Sequence, residues 1–298
     1  MKNYLEGMMR KLEFPEEAIV SLLASFDELQ GKKTLDTLLD FVGKYERDED
    51  YNIYGSIDVL ADAAKADGLP WQPSQMIYYL FLMRHLEDKY EKLGYDKDIY
   101  YHSILDMKWK MFECRECDGI WGSNVGGWDV SFYIPTLFGI GRLEFEIEKM
   151  GVDCEVGGRK ISKDDTVVNI HIPSAGPLLP ELCLDAFKGA HKFFADKFKD
   201  GITVFHVESW LVYPGHREFL PETSNILKFM DFFKIVSSYE EEPNASWRIF
   251  GHHCGKPFSE LPTDTGLRRA YVGRLLRGEP VGGGIGAFLF DGENIIND

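Results

Sequence analysis

The stretch that decides the fold runs from Thr166 to Phe194, T-V-V-N-I-H-I-P-S-A-G-P-L-L-P-E-L-C-L-D-A-F-K-G-A-H-K-F-F. Its β-branched opening reads as a strand that stops at Pro173, which has no N–H for a ladder bond. Ser174-Ala175-Gly176 reads as a turn. Cys183, Phe187, Ala190, Phe194 and Phe198 then mark the buried stripe of a helix entered at Pro180. A strand, a short turn and a helix start aim several backbone N–H groups at one point, where the helix dipole also favours negative charge. The spacing predicts a phosphate cradle.

Upstream, Phe132–Gly139 and Arg142–Glu148 read as antiparallel strands joined near Gly139-Ile140-Gly141. Leu143, Phe145 and Ile147 share one face of the second; Arg142, Glu144, Glu146 and Glu148 share the other. Downstream, Thr203–Tyr213 reads as a strand, Ser224 caps a helix through Phe233, and Lys234–Ser238 and Trp247–Phe250 read as further strands. A basic amphipathic helix over Gly266–Arg277 and a Gly-rich strand over Gly284–Phe290 follow. Before all of these, helical spacing predicts six helices over Tyr4–Leu12, Glu16–Leu29, Thr34–Tyr45, Ile57–Lys65, Ser74–Lys92 and Ile99–Cys117. Ser74 is the expected cap of the fifth and Gly94 its stop. The loop Gly119–Gly127 parts the two textures. The expectation is α+β: a helical N-terminal domain over 1–122, then a mixed β-sheet flanked by helices over 123–298.

Lys+Arg 33 against Asp+Glu 49 gives a net charge of −16, which argues against nucleic acid and anionic membranes as partners. No apolar run reaches a membrane span and the start is not that of a signal peptide, so a cytoplasmic location is expected. The five cysteines make an odd, sparse set, and Cys114-Arg115-Glu116-Cys117 lacks the second ligand pair a zinc site needs, so no metal is expected.

The order strand–anion turn–helix–strand–helix–strand resembles the core of the GNAT N-acetyltransferase fold. Asn169-Ile170-His171-Ile172-Pro173 is similar to the strand whose backbone pairs with the pantetheine arm of coenzyme A. Ser174-Ala175-Gly176-Pro177-Leu178 stands where the family has its pyrophosphate turn. Ser224-Asn225-Ile226-Leu227 resembles the Asn-led helix near the thiol end. His206-Val207-Glu208-Ser209-Trp210-Leu211, with Leu220-Pro221-Glu222-Thr223-Ser224-Asn225, is more closely similar to a bacterial group of two-domain acyltransferases, along nearly the whole chain. The resemblance implies an acyl-CoA co-substrate touching Ile172, Ser174, Ala175, Gly176, Leu178, Ser224 and Asn225. It also implies a small-molecule amine acceptor in a cleft between the domains, in a monomer or homodimer. Two departures stand out. The turn has one glycine and is followed by Pro177, which lacks an N–H, and Phe232 occupies the position of the family's Tyr general acid.

Acyl transfer to an amine needs a base, an oxyanion contact and an oriented donor. On the strand, His171 and Asn169 share the face opposite Val168, Ile170 and Ile172; His171 is a candidate base or a satisfied structural imidazole. His206 and Glu208, two residues apart on the next strand, are a candidate base pair, an amine-holding pair or a polar interface pair. Glu144 and Glu146 fit a cationic acceptor or a solvated face, and Tyr213 is a stand-in acid. Of the competing classes, a non-catalytic acyl-CoA-binding protein fits the two departures. A hydrolase on Cys183 or Ser174 lacks the G-x-S-x-G elbow. The Gly282–Gly286 run reads as structural, the Arg268, Arg269, Arg274, Arg277 stripe as a solvated helix face or a contact to the cofactor's 3′-phosphate, and His252-His253 as a poor chelate because neighbours on an extended segment point apart.

Overall fold

The computed structural model describes residues 1–241 and 247–298. Contacts divide the chain into two compact units, Met1–Gly139 and Ile140–Asp298.

The first unit is helical: α1 (Lys2–Lys11), α2 (Glu16–Glu28), α3 (Lys33–Glu46), α4 (Ile53–Ala66), α5 (Trp71–Lys92), α6 (Lys97–Asp118) and the short α7 (Val130–Tyr133). In α5 every residue from Pro73 to Met83 is buried, as befits a helix apolar all round. This helix begins at Trp71 behind Pro70, so Ser74 lies inside it instead of capping it. Pro73 falls in the first turn, where its missing N–H has no helical acceptor to lose. Gly94 and Gly119 do end their helices, with φ of 78° and 71°. The loop Gly119–Gly127 lies in this first unit, where Ser123 donates its N–H to the Gln72 carbonyl at 3.1 Å. Val130–Tyr133 is helical and not strand, because Tyr133 stacks on Tyr79 at 5.0 Å and its carbonyl accepts the Tyr45 hydroxyl at 2.7 Å. Such packing overrides the β-propensity of aromatic residues.

The chain then runs β1 (Leu137–Ile140), β2 (Leu143–Lys149), β3 (Cys154–Val156), β4 (Arg159–Ile161), β5 (Thr166–His171), α8 (Pro180–Phe193), β6 (Thr203–Ser209), α9 (His216–Phe219), α10 (Asn225–Met230), β7 (Lys234–Glu241), α11 (Trp247–Phe250), α12 (Gly266–Leu276), β8 (Val281–Phe290) and β9 (Ile295–Ile296). The main sheet has the order β1-β2-β5-β6-β8-β7, with β9 beside β8. Parallel β5 and β6 stand between antiparallel neighbours, and α8 is the crossover joining them. This is the expected helical region followed by a mixed sheet flanked by helices.

Alternation gives the sheet two unlike faces. Phe145, Phe205 and Phe288 pack beneath α8, where Phe187 reaches within 4.9 Å of Phe288. The other face is apolar at one end only, where Val167, Val204 and Leu289 join Val156 and Ile161 of the β3–β4 hairpin. The sequence reading has no such hairpin, although Gly157 and Gly158, at φ of 56° and 72°, are the two-residue turn it needs. Past the hairpin the same face becomes polar.

Two more expectations change. The strand Thr203–Tyr213 stops at Ser209, whose hydroxyl accepts the Leu211 N–H and starts a 3-10 turn over Trp210–Val212. Trp247–Phe250 is a helical turn, since Ile249 and Phe250 are buried against Tyr271, Val272 and Leu275 of α12.

Candidate active site

The polar end of the face is built in rows by the strand register. Glu146 stands opposite Asn169, and Asn169 opposite His206; in the next row Glu144 stands opposite His171, and Glu208 follows two residues after His206. His171 Nε2 lies 2.5 Å from Glu146 Oε1 and 3.2 Å from Asn169 Nδ2. Asn169 Oδ1 lies 3.2 Å from His206 Nδ1. A carboxylate can only accept, so His171 Nε2–H donates to Glu146 and Nδ1 is the basic atom of the ring. Burial first, then the neighbouring His171, lowers the His206 pKa to about 4, so this ring stays neutral. Its Nε2 is buried without a hydrogen-bond partner among the described residues. Burial and then Glu146 raise the Glu148 carboxyl, and burial followed by Glu208 raises Tyr239 of β7 to about 12.

Beside this cluster the two parallel strands part. Only Val168–Phe205 and Asn169–His206 are paired, although β5 runs on to His171 and β6 to Ser209. The fork leaves the facing backbone edges past Asn169 and His206 without each other as partners.

The turn after β5 is pinned from below. Arg142 donates to the carbonyls of Pro173 at 3.0 Å, Gly176 at 2.9 Å and Pro177 at 3.3 Å. A trans peptide points its N–H opposite to its carbonyl, so the N–H groups of Ser174 and Leu178 face away from Arg142. Those of Ala175, Gly176, Leu178 and Leu179 have no backbone acceptor among the described residues. Gly176 at φ 85° permits the bend, and α8 starts at Pro180 without a side-chain cap. The arrangement is a set of outward donors backed by a guanidinium and a helix start, which suits a diphosphate.

His171, His206 and Glu208 thus come together, joined by Glu146, and Ile172 leads from the fork into the turn. Ser224 caps α10 by accepting the Ile226 N–H, and Asn225 is its first residue. Tyr213 stands elsewhere: with β6 ended at Ser209, its ring is 5.8 Å from His216 and it lies beside Arg274. Phe232 packs on Phe187 at 5.4 Å as part of the aromatic core.

Burial raises the Cys183 and Cys114 thiols to about 12, which removes them as nucleophiles. His252 and His253 lie in a 3-10 turn and not an extended segment, so their rings meet at 3.9 Å. The glycine run is steric: a Cβ on Gly282 would lie 2.0 Å from the Tyr239 carbonyl oxygen, and one on Gly284 2.6 Å from that of Val212. Among the arginines of α12, Arg274 is buried on Glu218 at 2.7 Å and Arg268 reaches the Ile249 carbonyl at 2.7 Å, so they are structural anchors. Sequence reasoning missed Arg142, Glu148 and Tyr239. Alternation places Glu148 on the polar face but does not say what it meets, and Arg142 lies in the turn just before β2, where alternation does not reach.

Family models match both parts of the chain: an N-acyltransferase N-terminal domain over 3–133 and a GNAT-like C-terminal domain over 137–288. The chain belongs to the N-acyltransferase family with a GNAT-like C-terminal domain. Among solved structures, this GNAT-like acyltransferase is similar to an acyltransferase in complex with CoA and 10C-teicoplanin, at TM-score 0.71 and 19% identity. It is similar also to acyltransferases in complex with decanoyl-CoA and teicoplanin (0.70, 21%) and with decanoyl-CoA (0.66, 20%). Each likeness covers 94% of this chain and 86% of the other. No curated protein matches it. No helix among the described residues is long and apolar enough to cross a membrane.

Proposed function

We propose that this acyltransferase moves an acyl group from coenzyme A to an amine of a small molecule, with His171 as general base. The observation that carries the reading is the fork between β5 and β6, which opens beside His171 and leads into the Arg142-pinned turn. Backbone donors of the turn and the start of α8 would hold the diphosphate. The fork edge at Ile172 would take the pantetheine arm, and Ser224 and Asn225 of α10 its thiol end. When bound, acyl-CoA supplies the activated acyl carbon. His171 Nδ1 takes the proton of the attacking ammonium, while the Glu146 carboxylate on Nε2–H orients the ring and balances the charge it gains. The C–N bond then forms, the C–S bond breaks, and the second proton of the attacking nitrogen passes to the departing thiolate, which leaves as the thiol.

The test measures CoA affinity by calorimetry and thiol release from acetyl-, octanoyl- and decanoyl-CoA with a panel of amines. The long donors belong there because acyltransferases of the same fold were crystallised with decanoyl-CoA. His171→Ala is expected to lower turnover by roughly 100-fold or more with CoA affinity unchanged. Turnover that survives the substitution discards this base. Tight CoA binding without turnover on any amine would favour the second reading, a binding protein, for which Phe232 in place of the acid speaks.

A further inference from the structure

The strand β7 ends the main sheet and pairs on one side only, with β8. Every second residue of such a strand turns its N–H and C=O outward, and among the described residues no turn, loop or strand bonds to that outer edge. Lys234, Ser237, Ser238, Tyr239 and Glu240 are exposed along it. Eight residues is long for an edge left open, since edge strands are usually short or covered.

The charges on this edge are arranged for a copy of itself. Lys234 opens the strand and Glu241 closes it, and neither forms an ion pair with a described residue. An odd number of positions separates them, which on a regular strand would put the two side chains on opposite faces. The ladder shifts between Ile235 and Ser237, so Val236 is an extra residue. With that bulge Lys234 stands opposite Ala287, Ser237 opposite Ile285, Tyr239 opposite Gly283 and Glu241 opposite Val281, alternate residues of β8 and therefore one face. A second β7 laid antiparallel about a two-fold axis through Ser238 then meets the first with faces matched. Ser238 faces its own copy, Ser237 faces Tyr239, Ile235 faces Glu240, and Lys234 faces Glu241 at both ends.

We propose that β7 is a homodimer interface: two copies of this chain pair β7 antiparallel, with a Lys234–Glu241 ion pair at each end, into one sheet continuous through both. The inference does not depend on the acyl-transfer reading. Its surface is that of a small interface, and the net charge of −16 on each copy opposes association.

Sedimentation velocity on the full chain, from about 1 to 200 µM, is made in about 0.15 M salt, where long-range repulsion is screened beyond about 8 Å. A dimer is expected within that range. Lys234→Glu and Glu241→Lys are each expected to weaken it roughly tenfold, since either one sets like charges opposite each other at both ends. An equimolar mixture of the two variants, and the double variant alone, are expected to associate as wild type does, because opposite charges meet again. Unchanged melting temperatures check the fold, and misfolding would not be repaired by mixing. A wild type that stays monomeric throughout leaves the edge to another strand donor and overturns the proposal. A dimer indifferent to Lys234→Glu, or a double variant as weak as the single ones, overturns it as well.

Discussion

At the scale of single residues, the site is a matter of which hydrogen each nitrogen carries. Alternation along the strands was enough to put Asn169 beside His171 and His206 beside Glu208. It could not say that Glu146 meets His171, because that contact crosses from β2 to β5 through a register set by the whole sheet. Nor could it find Arg142, whose three bonds to turn carbonyls join residues 31 to 35 positions apart. The geometry makes Arg142 the pin of the turn after β5. Arg142→Lys keeps a charge but cannot span three carbonyls with a rigid fork. CoA affinity is expected to fall roughly tenfold, while pantetheine, which has no diphosphate, binds as it does to the wild type. Equal losses for both ligands would show a general disruption and not a lost pin. Tyr213 lies away from the polar cluster for a local reason. Ser209 caps a 3-10 turn, the strand ends, and the tyrosine is carried to Arg274.

At the scale of elements, the glycines of β8 illustrate how close its neighbours come. With Tyr239's carbonyl oxygen 2.0 Å from where a Cβ of Gly282 would sit, and Val212's 2.6 Å from that of Gly284, each backbone must shift to admit a methyl group. Gly282→Ala and Gly284→Ala are each expected to lose about 1–3 kcal/mol in urea unfolding. A Gly273→Ala control on α12, where a Cβ meets only the far end of Arg277 at 3.5 Å, should not lose stability. In the helical unit, burial first and Asp106 next push the fully buried Asp129 well above the carboxylate range. Asp129→Asn, which removes only the possibility of charge, is expected to stay within about 1 kcal/mol of wild type. Asp129→Leu, which strips Ser123 of its acceptor, should cost about 1–3 kcal/mol. Helix positions were legible because the apolar period is a local property. The short Trp247–Phe250 turn and the start of α5 were not, since burial against α12 and the tolerance of a first turn for proline decide them.

At the scale of the whole molecule, two buried imidazoles set the acid limit of stability. His206 and His216 are both lowered to about 4, chiefly by burial, against about 6.5 in an unfolded chain. Between those values the unfolded state binds more protons, so stability is full above about pH 6.5 and falls as the pH drops towards 4. Melting temperature is expected to decline across that window, and His206→Gln to flatten the decline; a variant as acid-sensitive as wild type would exclude His206 as its source. The sequence by itself determined the helical first part, the strand–turn–helix of residues 166–194 and the face on which each site residue lies, because periods of 3.6 and 2 are written into neighbouring positions. The tertiary structure alone decided that β5 and β6 part after Asn169 and His206, that Glu146 seats His171, and that Arg142 turns the carbonyls of the bend inward. Those depend on sheet register and on partners distant along the chain, which no local pattern encodes.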